Sequence, residues 1–169
     1  MIARFIVGIL LIAVCINSGC VTQTYVDGPQ AISSLEPSSY PIEGRTAAVV
    51  TRIIDGDTIE VNIAGILYRV RYLGIDTPER NQPGYDEATL ANRDLVGGRT
   101  VELEKDISET DRYGRLLRYV WVNGDMVNAL LVESGYAQVV TYPPDVKYQA
   151  GFFELQRQAQ QEGLGLWTQ

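Results

Sequence analysis

Between Thr46 and Ile75, three runs, TAAVVTRII, TIEVNI and ILYRVRYLGI, are dense in β-branched and aromatic residues and are parted only by short turn signals. Runs spaced so closely predict three strands of an antiparallel meander. In the third, Tyr68, Val70 and Tyr72 share one face, while Arg69 and Arg71 share the other. Two arginines on one face of a strand need water or anions.

The remainder supplies two more strands and three helices. TVELEKD reads as a fourth strand, and LLRYVWVNGDMV as a fifth with an Asn-Gly turn. Tyr85 to Val96 places Ala88, Ala91 and Leu95 at helical spacing and stops at Gly97 and Gly98. Met126 to Ser134 predicts a short helix with Val127, Leu130 and Leu131 inward, ended by Gly135. Beyond the Pro143–Pro144 loop, Tyr148 to Glu162 is helical, with Phe152, Leu155 and Ala159 as its apolar face. Five strands with helices inserted and appended predict an α+β domain around a small barrel. The chain has 169 residues, 46% hydrophobic and 21% charged, which suits one globular domain able to bury a core.

Residues 1–20, MIARFIVGILLIAVCINSGC, carry one basic residue, an apolar run from Phe5 to Val14, and small residues before Cys20. The run is short for a bilayer span and has the architecture of an export signal. SGC resembles the end of a lipobox, with Asn17 where such motifs carry an apolar residue. A lipidated Cys20, and with it a membrane-anchored exported protein, is therefore expected; an ordinary cleaved signal and an uncleaved N-terminal anchor are the alternatives. Residues 21–45 are rich in Pro and Ser, without hydrophobic period, and read as a tether. As a flexible coil its roughly 24 residues would span about 25 to 30 Å. Residues 46–169 form the folded domain.

Both cysteines fall within the first twenty residues, so no disulfide staples the domain. The sequence contains no histidine, which excludes His-dependent serine or cysteine triads, His-ligated zinc and His-based nucleases. Catalysis must then rest on carboxylates, arginines, hydroxyls and a metal. A net charge of −7 argues against coating nucleic acid through a broad basic surface, but not against a small arginine pocket for phosphate.

Asp57, in RIIDGDTIEV, begins the second strand, and Asp76, in GIDTPE, ends the third. Paired strands would bring these carboxylates to one end of the sheet, where hard oxygen donors attract Ca²⁺ or Mg²⁺. Pro78 keeps Thr77 extended and helps aim its carbonyl. Glu79 is placed to polarise a water. Arg71 lies on the face opposite Asp76 unless the strand bulges near Gly74. Arg115, in DRYGR, is a second guanidinium able to grip phosphate in a bidentate way. Singly, each piece also reads as ordinary structure: DGDT as an Asx-type turn, DTPE as a strand end, DRYGR as a solvated hairpin.

Taken in order, IDGDT, RVRYLGIDTPE, DRYGR and the late GLGLW closely resemble the thermonuclease, or staphylococcal-nuclease-like, family from about Thr46 to Trp167, including the nineteen-residue step from Asp57 to Asp76. The resemblance implies an OB-type five-stranded barrel with about three helices. It also implies a monomer that cleaves phosphodiester bonds of DNA and RNA with Ca²⁺, leaving 3′-phosphates. On that footing Asp57, Asp76 and the Thr77 carbonyl hold the metal, and Glu79 is the general base or orients the water. Arg71 and Arg115 stabilise charge on phosphorus, and Tyr113 contacts a terminal phosphate. The loop ERNQPGYDE is shorter and poorer in lysine than in the best known secreted member, and TYPPDVKY does not reproduce that member's paired tyrosines, leaving Tyr142 and Tyr148 unassigned. A non-catalytic OB module that holds single strands at the envelope is the alternative function.

Overall fold

The computed structural model describes residues 44–168; the expected signal, Cys20 and nearly all of the tether lie outside them. The meander is present as β1 (Arg45–Ile53), β2 (Thr58–Ile63) and β3 (Ile66–Tyr72), followed after a two-residue break by the short β4 (Ile75–Asp76). Then come α1 (Tyr85–Val96), β5 (Thr100–Glu104), β6 (Leu116–Val122), β7 (Asp125–Met126), α2 (Val127–Glu133), β8 (Gln138–Val139) and α3 (Gln149–Glu162). The sheet runs β3-β2-β1-β5-β6-β7, and a parallel pairing of Val70–Tyr72 in β3 with Leu116–Arg118 in β6 closes its first five strands. The result is a five-stranded OB-fold barrel with three helices.

Period-two burial explains the closure. Ala48 and Val50 of β1, Ile59 and Val61 of β2, and Val70 and Tyr72 of β3 all point into one core, while their neighbours Val49, Glu60 and Arg69 point out. At about 25 cal/mol per Å² of apolar area, this continuous core is the main stabilising term. The Asn-Gly turn after β6 is present, with Asn123 at φ 53° and Gly124 at φ 93°. The end of α1 differs in detail: Gly97 keeps φ at −56° and Gly98 takes the left-handed position, at φ 68°. In α2, Leu130 is only half-buried, and Asn128 and Val132 join Val127 and Leu131 inside.

Buried Asn128 has its polar atoms satisfied. Its Oδ1 accepts from the Val120 N–H and its Nδ2 donates to the Leu73 carbonyl, both at 2.9 Å. This ties α2 to β6 and to the break between β3 and β4. Gly74 sits in that break at φ 76°, and a Cβ there would come within 2.9 Å of the Phe152 ring. The chain turns sharply at this point, so Asp76 comes back toward Arg71.

Glu104, buried at the end of β5, accepts from Lys147 Nζ at 2.5 Å and from the Tyr148 hydroxyl at 2.9 Å. Burial raises its pKa, but these bonds and the Arg45 guanidinium outweigh it and hold the carboxyl below its ordinary 4.5. Such a group contributes stability above its unfolded pKa, and the contribution is lost as pH falls through the depressed value. The urea midpoint is therefore expected to drop between about pH 5 and pH 3. Glu104→Gln is expected to start lower at neutral pH and fall less steeply; an unchanged slope would remove Glu104 from this account.

Candidate active site

The loop between β1 and β2 is shaped by its own aspartate. Asp55 Oδ1 accepts the Asp57 N–H at 3.1 Å, closing an Asx turn. Buried Asn92 of α1 secures it, donating to the Asp55 carbonyl at 2.9 Å and accepting the Tyr72 hydroxyl at 2.8 Å. Burial holds the Asp55 carboxyl above its ordinary range despite bonding from Thr58 and the field of Arg71. Gly56 fits because nothing larger would: a Cβ would lie 2.7 Å from Thr77 Oγ1 and 2.9 Å from Ala88 Cβ. The turn thus presses against Thr77.

Asp57, 2% exposed, is the hub. Its Oδ2 accepts from the Thr77 N–H at 2.8 Å and the Thr77 hydroxyl at 3.1 Å, and its Oδ1 accepts from the Thr58 hydroxyl at 3.1 Å. Arg71 reaches the same carboxylate through Nη1 and reaches Asp76 Oδ1 through Nη2 at 2.5 Å. The β3–β4 break therefore overrides strand alternation and brings Arg71 and Asp76 together. Glu79 is exposed, with its backbone N–H held by Gln82 Oε1 at 2.7 Å, and its carboxylate takes no part in the Asp57–Arg71–Asp76 network.

Two carboxylates converging on one positive group offer the oxygen donors that a hard divalent cation takes. Among the described residues no three His, Cys, Asp or Glu side chains cluster, so backbone oxygen and water would complete such a shell. The donor set fits Ca²⁺ on those terms.

Arg71 also lines a cavity of about 480 Å³, shared with Asp111, Tyr113, Arg115, Tyr142 and Asp145. Asp111 fixes Arg115, accepting its Nε at 2.7 Å and its backbone N–H at 3.0 Å. Burial raises the Asp111 pKa, but the Arg115 bonds and the Tyr113 N–H outweigh it, leaving the carboxyl below its ordinary range. Tyr113 and Tyr142 are each 69% exposed at the cavity rim. Tyr148 instead packs edge-on to Tyr119 at 4.7 Å, outside the cavity lining. The sequence reading missed Asp111 and Asn92 as supports; the motif DRYGR contained the first, while no local signal marked the second.

The sequence that builds this OB barrel and its arginine-lined cavity matches known proteins. Residues 69–169 match the staphylococcal nuclease homologue family. The thermonuclease of Staphylococcus intermedius is 35% identical over 167 residues, covering 95% of both chains. The chain belongs to the staphylococcal nuclease family. Within that family, the thermonuclease of Staphylococcus hyicus is 39% identical over 126 residues, covering 70% of this chain and 74% of its own. The SPbeta prophage-derived endonuclease YokF of Bacillus subtilis is 39% identical over 125 residues, covering 69% of this chain and 42% of its own.

Proposed function

We propose that this staphylococcal nuclease homologue is a Ca²⁺-dependent nuclease that hydrolyses phosphodiester bonds of DNA and RNA to 3′-phosphates. In the same reading it is exported and held at a membrane by lipid on Cys20, with residues 21–45 as the tether. The observation that carries the catalytic part is the Arg71 guanidinium, which touches both Asp57 and Asp76 while lining the cavity of Arg115 and Tyr113.

Asp57, Asp76 and the Thr77 carbonyl would hold Ca²⁺, which when bound neutralises phosphate charge and acidifies water. Glu79 accepts the proton of the attacking water. The water oxygen bonds to phosphorus, the bond from phosphorus to the 5′ oxygen breaks, the leaving 5′ oxygen takes a proton from solvent water, and the 3′-phosphate remains. Arg71 and Arg115 donate to the phosphate oxygens as charge builds on them. Tyr113 contacts a terminal phosphate at the rim. Among the described residues no helix is long and apolar enough to cross a membrane, so attachment in this reading falls to the N-terminal segment.

The test is cleavage of single-stranded DNA with Ca²⁺ or with chelator, repeated with Glu79→Gln. The expected result is metal-dependent cleavage that Glu79→Gln lowers by about 10²–10⁴-fold in kcat, with calcium affinity unchanged. Binding without cleavage by the wild-type chain would favour the OB binding module instead. A diacylglyceryl mass on an N-terminal Cys20 tests the anchor separately.

A further inference from the structure

The β2–β3 hairpin has an apolar tip at the end of the barrel remote from the acidic site. From Val61 to Tyr68 the sequence VNIAGILY carries no charge. Its two-residue turn, Ala64 at φ 49° and Gly65 at φ 91°, is closed by Asn62 Oδ1 accepting the Gly65 N–H at 2.8 Å. Ile66 and Leu67 are each 57% exposed. Adjacent residues of a strand point to opposite faces, so both faces of the tip present hydrocarbon to solvent. A flat protein partner would cover only one of them. A medium that surrounds the tip covers both.

We propose that this hairpin tip inserts into a phospholipid bilayer and orients the nuclease domain on it. Three features fit that occupant. The first charges along the hairpin are Glu60 and Arg69, paired across from one another three residues below the Ile63–Ile66 pair, or about 10 Å at strand rise. An apolar tip of that depth matches the headgroup and acyl boundary, and half-buried Tyr68 lies between tip and charges, where amphipathic aromatics belong. Further, β1 leaves β2 at the Val49–Asn62 pair and continues toward its start against β5, with Arg45 opposite Glu104. The 43 residues before Gly44, with the apolar run Phe5–Val14, join the domain through this strand. A tether rooted there raises the local lipid concentration, so a small insertion suffices. Asp57 and Thr58 lie at the opposite end of β2, about 17 Å away along the strand. The Asp57 carboxylate consequently stands off from the lipid.

The inference rests on the membrane half of the proposed function, and its test separates the two. The full 169-residue chain carrying Leu67→Trp is mixed with phosphatidylcholine vesicles, isolated by flotation, and compared with the parent chain in vesicles of acyl-chain-brominated phosphatidylcholine. The expected result is extra emission from position 67 that bromine quenches by at least about two-fold, insensitive to salt, and relieved by adding Ile66→Asn. Flotation without quenching at position 67, or quenching that Ile66→Asn leaves unchanged, overturns the hairpin proposal while leaving attachment intact. Absence of flotation overturns both. Emission that responds to protein density and not to bromine identifies a second copy of the chain as the occupant and also overturns it.

Discussion

Asp57→Ala is expected to reduce the proposed Ca²⁺-dependent cleavage by more than about 10³-fold, because it removes an oxygen of the proposed metal site and also the carboxylate that anchors Thr77 and Arg71. Titration calorimetry should show calcium affinity falling with it. Asp55→Ala touches the same turn differently, since Asp55 bonds the Asp57 N–H and does not contact Arg71 through an ion pair. It is expected to lower the melting temperature by about 3–5 °C, the effect of roughly 1 kcal/mol in a domain this size. Cleavage by the folded Asp55→Ala protein should fall less than about ten-fold, in keeping with a turn-forming role. Equal loss of calcium affinity from both substitutions would show this division of labour to be wrong.

Arg115→Ala is expected to lower kcat by about 10²–10³-fold with little change in KM, the pattern of a donor needed chiefly when charge develops on the phosphate. Asp111→Asn should give a smaller loss, about ten-fold, because Arg115 remains but its Nε loses the charged acceptor 2.7 Å away. The double variant should then be no worse than Arg115→Ala alone, since Asp111 acts through that guanidinium. Additive losses in the double variant would mean that Asp111 has a separate task. A rise in KM with unchanged kcat for Arg115→Ala would place Arg115 in ground-state binding.

The meander and helices were legible because their signals are local: β-branched alternation for β1 to β3, three- and four-residue spacing for α1 and α3. Parallel closure of β3 on β6 was not, since it joins segments more than forty residues apart and leaves no periodic trace in either. Asp57 and Asp76 both reach Arg71, but Asp76 lies in β4, which pairs with β8 and not with β2, so pairing within the meander does not bring them together. Their sharing of Arg71 depended on the break at Leu73–Gly74, which strand alternation argues against and which Asn128 helps hold from another helix. Asn92 and Asn128 look like surface residues in sequence; only tertiary contacts show that each is buried and meets two partners on other elements. The two tyrosines left unassigned part company for a similar reason, Tyr142 standing at the cavity rim and Tyr148 joining an aromatic cluster.

The Arg71 guanidinium spanning Asp57 and Asp76 gives the domain a resident counter-ion. The single guanidinium offsets one of the two negative charges and leaves the other for a bound cation to balance. An arriving cation must compete for those oxygens, and a guanidinium displaced from them is left beside the cavity that it already lines. In the proposed reaction, metal and phosphate would then occupy linked equilibria, each favouring the other through the same side chain.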